Sequence, residues 1–290
     1  MSYKNEYNDK FSKDIRVAMD KTFKKLTTLE SKEFFDNELF DASMHLLNKP
    51  GKMLRPLLVF LGASYCGMDL DEVIDIAVSI ELLHTSSLIH DDIIDNDNKR
   101  RDIDATHVKY GLEIAMLSGD ALISKSIQNA SRYGKNLIDI MAETAMKMSA
   151  GEAMDFRYQR LKKVPEIEEC LRIIELKSAS LISTATSISG KYKNSNFSRE
   201  LELFGLNLGI AFQIKDDIED YSAISDNTQA NLDANRPNIV KSIIKSGKNE
   251  KDAIKEATAM NKKYIKVGIS YLDKNKFEIF ERYLNMIKID

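Results

Sequence analysis

The sequence has 290 residues, 43% of them apolar and 30% charged, and 42 basic against 45 acidic side chains leave a net charge of −3. This is a globular composition, and its near-neutral balance gives no global electrostatic case for nucleic acid or an anionic membrane, so any basic site is local. The charged opening MSYKNEYNDKFSKD and the lack of an uninterrupted apolar run of roughly 18 residues predict neither a secretion signal nor a transmembrane segment. The only two cysteines, Cys66 and Cys170, lack metal-ligand spacing and fit small core residues in a reducing, cytoplasmic compartment.

Four prolines and 12 glycines permit long helices. Tyr3, Tyr7, Phe11, Ile15, Met19, Phe23 and Leu26 recur at steps of three and four, predicting an amphipathic helix. Phe35, Leu39, Ala42 and Leu46 predict a second from about Ser31. Asp69 followed by Glu72 reads as a helix start, and Val73, Ile76, Ala77, Ile80 and Leu83 continue it into His90-Asp91-Asp92-Ile93-Ile94-Asp95. Residues 201–218 form another long apolar stretch that ends in acids. Residues 153–166 and 222–237 read as connectors, the second as a candidate lid, and the lysine-rich 241–266 as a solvated helix face. Strand alternation and hairpin signals are missing, so the chain is expected to be all-α, a single domain over 1–290.

Asp91 and Asp95 lie four apart and share a helix face, with Asp92 about 100° around; Asp216, Asp217 and Asp220 repeat the arrangement. Each group follows an apolar run, SSLIH or GIAFQI, where packing is the expected neighbour. Hard carboxylate oxygens without Cys or a His pair select magnesium or manganese over zinc, and magnesium held by few carboxylates shares its shell with phosphate oxygens. A phosphorylated substrate is implied, and Lys52, Arg55, Arg100 and Arg101 supply local cations for it. No Walker-type glycine loop suggests a nucleotide. His90 and His107 read as structural, and Gly205 with Gly209 as a close helix-packing pair.

In order, GKMLRPLL, ELLHTSSLIHDDIIDNDNKRR, THVKYG with SGDAL, LKSASL and GIAFQIKDDIEDY resemble the signatures of the trans-isoprenyl diphosphate synthases, the polyprenyl synthetase family, of the geranylgeranyl-forming type. The resemblance covers residues 51–237. It implies a bundle of antiparallel helices around a deep central cavity, a homodimer, and magnesium-dependent head-to-tail addition of isopentenyl diphosphate to an allylic diphosphate. It further implies three magnesium ions with substrate bound, manganese being able to substitute. Carried over, Asp91, Asp95 and Asp216 bind metal, and Asp92, Asp217 and Asp220 complete the two acidic groups. Lys52, Arg55, His84 and Arg101 hold isopentenyl diphosphate. Arg100, Lys177, Ser178 and Gln213 contact the allylic substrate, Ser178 standing where the family commonly has Thr.

Such chemistry needs cations to stabilise a departing diphosphate and an apolar wall to keep a carbocation from water, and it needs no side-chain nucleophile. Ser86 and Ser87, one turn before Asp91, are small where the family uses bulky aromatics to stop growth near C15, so a product of C20 or longer is expected. Asp102 replaces a usual Gly. The two lysines usual after the second acidic group are missing, leaving Arg236 as the remaining diphosphate contact in 222–237. A terpene cyclase of the same fold would carry an Asn/Ser/Glu metal motif in place of DDIED, and a non-catalytic partner subunit would have lost an acidic group.

Overall fold

The computed structural model describes residues 7, 10–225 and 236–287, with the side chains of 223–225 left undescribed. The chain is all-α, and its contacts divide it into two compact units.

The first unit comprises 1–145 and 188–198. Its helices are Lys13–Thr27, Asn37–Leu47, Leu54–Tyr65, Ile74–Ile94, Thr106–Tyr110 and Leu112–Ala130. Ile74–Ile94 is its axis, packing on Leu112–Ala130, Leu54–Tyr65 and Lys13–Thr27. Leu57, Leu58, Phe60, Ile76, Ile80, Leu82 and Leu122 are wholly buried, each contributing roughly 1.5–3 kcal/mol by leaving water. Ser126 Oγ donates to the Ser79 carbonyl at 2.7 Å, which fixes the register of the two longest helices in this layer. The 188–198 segment joins the unit through Ser189 Oγ, which donates to the Val59 carbonyl, and through an edge-to-face contact between Tyr65 and Phe197.

The second unit, 146–187 and 199–290, contains Ile167–Ile174, Ile239–Lys245, Glu250–Ser270 and Glu278–Met286, and most of Ser198–Ser225. Cys170, Ile174, Ile210, Ile214, Ile239, Ile243, Ala253 and Ala257 form its core. Gly205 and Gly209 are a packing pair as expected: a Cβ at either would lie 2.8 Å from Ser183 Cα or 2.5 Å from Ala179 Cα. His90 is likewise structural, its Nε2 against the Met116 carbonyl at 3.1 Å.

Several boundaries differ from the sequence reading. Lys13–Thr27 begins where Ser12 Oγ accepts from the Ile15 amide, so the expected helix is interrupted before Lys13; Tyr7 is itself helical, and Tyr3 lies outside the described residues. The second begins only at Asn37: Ser31–Glu33 is a 3₁₀ turn, Phe35 stands at φ 61° and is 97% exposed, and Asp36 caps the helix through the Leu39 amide. The 153–166 connector is helical as far as Leu161, because the long Lys135–Leu161 helix meets no proline before Pro165. A two-residue antiparallel hairpin, Lys99–Arg100 with Ile103–Asp104, interrupts the helical order. The stretch Leu70–Ile94 is long and apolar enough to cross a membrane by length and composition, and 72% of its apolar window is buried inside the fold as a core helix.

Candidate active site

The first acidic group sits at the end of Ile74–Ile94. The Asp95 amide donates to the Asp91 carbonyl at 2.8 Å, closing the last turn, and Asn96 at φ 56° ends the helix in the left-handed region that Asn tolerates. Asp91 and Asp95 are both half-buried on one side of that turn. Asp92 points inward and is wholly buried. Arg100 Nε donates to Asp92 Oδ1 at 2.6 Å, and Nη2 pairs with the same oxygen while lying 3.6 Å from Asp97 Oδ2. Burial pushes the Asp92 carboxyl up, and the Arg100 guanidinium opposes that shift.

The hairpin turns through Arg101 and Asp102 at φ 52° and 64°, a type I′ turn. Asp102, which replaces the usual Gly, is one of the residues that accepts this conformation. The turn aims Arg101 back at the start of Leu54–Tyr65. Its Nη1 donates to the Lys49 carbonyl at 2.7 Å, and its guanidinium lies so close over Gly51 that a Cβ there would be 3.1 Å from Cζ. Lys52, Arg55, His84 and Arg101, the four residues assigned to isopentenyl diphosphate, all line one cavity of about 420 Å³. Lys99, Arg100 and Glu81 line it too.

Arg55 Nη1 lies 2.9 Å from His84 Nε2. A guanidinium cannot accept, so Nε2 accepts and the ring proton sits on Nδ1. Burial, then the charges of Arg55, Arg101 and Arg100, hold His84 well below the usual histidine range, so the ring is neutral at pH 7. The cavity is thus a cluster of permanent cations with a neutral imidazole, suited to a multivalent oxyanion.

In the second unit, Ile167–Ile174 passes through a π-helical turn, Glu175–Ala179, into Ser180–Tyr192. Such turns break side-chain register and recur at functional sites. This one presents Lys177 to two acids: Nζ donates to Asp155 Oδ2 at 2.5 Å and pairs with Glu152 Oε2 at 2.6 Å. Gly151 makes room for the wide turn, since a Cβ there would lie 2.3 Å from the Lys177 backbone nitrogen.

Ser178 Oγ donates to Gln213 Oε1 at 2.8 Å, and Gln213 Nε2 donates to Asp217 Oδ1 at 3.1 Å. Asp217 Oδ2 accepts from the Ile239 amide at 2.8 Å, and its own carbonyl accepts from Asn238 Nδ2 at 2.7 Å. Asp217 is therefore a tie between Ser198–Ser225 and Ile239–Lys245, and burial pushes its carboxyl up to about 7. Asp216 is half-buried and Asp220 exposed. Arg236 is half-buried, with its carbonyl accepting from Lys241 Nζ at 3.2 Å. Residues 226–235 of the expected lid lie outside the described residues.

Among the described residues no three His, Cys, Asp or Glu side chains gather closely enough to hold a metal by themselves. The donor chemistry still fits magnesium of the kind that takes one or two carboxylates and completes its shell with water and phosphate oxygens: Asp91 and Asp95 offer such a pair, and Asp216 with Asp220 another.

Sequence reasoning missed Glu81, Gly51, Gly151, Glu152 and Asp155. Glu81 could have been found as the single acid in the apolar run AVSIELL, three residues before His84 and so on its stripe. Glu152 and Asp155 carry the same signal, two acids three apart directly after a glycine. Their partner Lys177 is set by the π turn, which the sequence does not announce.

A family model described as Polyprenyl synthetase matches residues 36–265. The chain is 38% identical over 191 residues to a geranylgeranyl diphosphate synthase of Sulfolobus acidocaldarius, which covers 62% of this chain and 58% of that protein. It is 34% identical over 192 residues to a short chain isoprenyl diphosphate synthase of Methanocaldococcus jannaschii, covering 64% of this chain and again 58% of the relative. The chain thus spans under two thirds of the length of these curated relatives. The solved heptaprenyl diphosphate synthase of Staphylococcus aureus superposes with a TM-score of 0.82 at 24% identity, over 96% of this chain and 99% of that one, a likeness of fold.

Proposed function

The chain belongs to the polyprenyl synthetase family, and from that premise we propose that it is a prenyltransferase. It adds isopentenyl diphosphate head-to-tail to an allylic diphosphate and releases a trans-polyprenyl diphosphate of C20 or longer. The observation that carries this reading is the convergence of Lys52, Arg55, His84 and Arg101 on one cavity. They come from the start of Leu54–Tyr65, the middle of Ile74–Ile94 and a hairpin, and nothing in the packing of a plain scaffold calls for three permanent cations there.

In this reading the cavity binds the diphosphate of isopentenyl diphosphate, Arg55 and Arg101 as planar forks and His84 as a neutral Nδ1–H donor. Lys177, Ser178, Gln213, Arg100 and Arg236 hold the allylic diphosphate. Family members use divalent metals, and here Asp91, Asp95 and Asp216 would hold magnesium, which neutralises charge on the leaving diphosphate. The isopentenyl double bond attacks the allylic carbon as its bond to oxygen breaks, and the departing diphosphate takes the proton released. No side chain of this chain acts as nucleophile. Ser87, half-buried one turn before Asp91, leaves the growing chain a path past C15, whereas Ser86 beside it is wholly buried.

The whole chain acts as one catalytic domain, in the cytoplasm, where two thiols without a disulfide are at home. A second copy of the chain covers Leu112 and Met116, which lie four apart on one helix face and are about half exposed. The experiment that tests the reading is release of inorganic pyrophosphate from isopentenyl diphosphate plus an allylic diphosphate, with and without chelator. Release that needs both substrates and metal supports it, and release from the allylic substrate alone overturns it.

A further inference from the structure

The cationic cavity contains a buried acid that the reaction above does not use. Glu81 is 3% exposed, lines the same cavity as Arg55 and Arg101, and its Oε2 has no hydrogen-bond partner. An ionised carboxylate in that position is unfavourable unless cations offset it. The charges that reach it are Arg101 and Arg55, the first from the hairpin and the second from Leu54–Tyr65, and against them burial still leaves the group at about 7. His84, one turn on along the same helix, is neutral and gives it no charge. Lys52, Lys99 and Arg100 add positive charge to the cavity wall and Asp97 subtracts one.

We propose that Glu81 is the counter-ion of Arg55 and Arg101 before substrate arrives, and that it takes up a proton as a diphosphate-bearing substrate takes both guanidiniums over. The proton comes from solvent and ends on a Glu81 carboxyl oxygen. An incoming oxyanion removes the two charges that keep Glu81 ionised and adds like charges beside it; both changes favour the neutral acid. Glu81 is thereby a positioning residue that acts through the two arginines, and anion binding and its protonation form one linked event. The inference rests on reading this cavity as the isopentenyl diphosphate site.

Calorimetric titration with inorganic pyrophosphate tests it, in chelator so that the aspartates contribute nothing, for wild type, Glu81→Gln and Arg101→Ala at pH 6 and pH 8. Glutamine mimics the protonated acid, so Glu81→Gln is expected to match wild type at pH 6 and to bind about tenfold more tightly at pH 8, where wild type must first be protonated. Infrared difference spectra of wild type are expected to gain a protonated-carboxyl band on adding pyrophosphate; this readout needs no variant and decides the matter if Glu81→Gln does not fold. Identical pH dependence in wild type and Glu81→Gln, or no new band, overturns the linkage while leaving the site assignment standing. Undiminished pyrophosphate binding by Arg101→Ala overturns the site assignment itself, and the linkage with it.

Discussion

Arg100 Nε donates to Asp92 Oδ1 at 2.6 Å, inside the protein. The middle carboxylate of the first acidic group therefore fastens the hairpin to the helix end, while Asp91 and Asp95 stay half-buried. Asp92→Ala leaves the Arg100 charge without its partner, so it is expected to lower unfolding free energy by roughly 2 kcal/mol, well beyond Asp91→Ala. Urea unfolding of the two variants checks this. Equal midpoints would contradict the division of labour.

Asp91→Ala and Asp216→Ala are each expected to lower turnover roughly 10³-fold or more while circular dichroism stays unchanged. Both carboxylates are partly exposed, whereas Asp92 and Asp217 are the buried members of their groups. A charge-stabilising contact to a leaving diphosphate is commonly worth a few kcal/mol. Near-normal turnover in either variant, or in chelator, counts against the metal assignment.

Gly151→Ala places a methyl 2.3 Å from the backbone nitrogen of Lys177, and a backbone atom in a packed turn cannot step aside. The expected cost is roughly 1–3 kcal/mol. Because the displaced residue is Lys177, KM for the allylic substrate is expected to rise more than KM for isopentenyl diphosphate. A wild-type melting temperature would mean that the π turn tolerates the methyl.

Ser87→Phe is expected to shorten the main product by at least one five-carbon unit while sparing the first condensation. Ser86→Phe must instead push a ring into space already filled, and it is expected to destabilise the fold. Chromatographic sizing of products, beside a thermal melt of each variant, separates the two. An unchanged product from active Ser87→Phe puts the wall elsewhere.

Helical periodicity made the all-α class legible, because Ile76, Ile80 and Leu83 recur at the spacing of a buried stripe. It failed at Phe35, an apolar residue on the expected stripe that the 3₁₀ turn leaves exposed at positive φ. Lys52, Arg55, His84 and Arg101 were all named from sequence, and the cavity gathers them. What the sequence hid was their dependence on backbone shape. The type I′ turn that aims Arg101, the bare backbone at Gly51 beneath it and the π turn beneath Lys177 are local conformations with weak sequence signals. The inward turn of Asp92 and Asp217 was equally hidden, since two adjacent acids on a helix read alike until packing assigns one to the interior.

Purified protein incubated with labelled isopentenyl diphosphate, magnesium and in turn C5, C10 and C15 allylic diphosphates, with the products then sized, tests the central claim most directly. The account expects metal-dependent incorporation of label into linear prenyl diphosphates of about C20 or longer. No incorporation with any primer, or cyclic hydrocarbon formed without isopentenyl diphosphate, would contradict it.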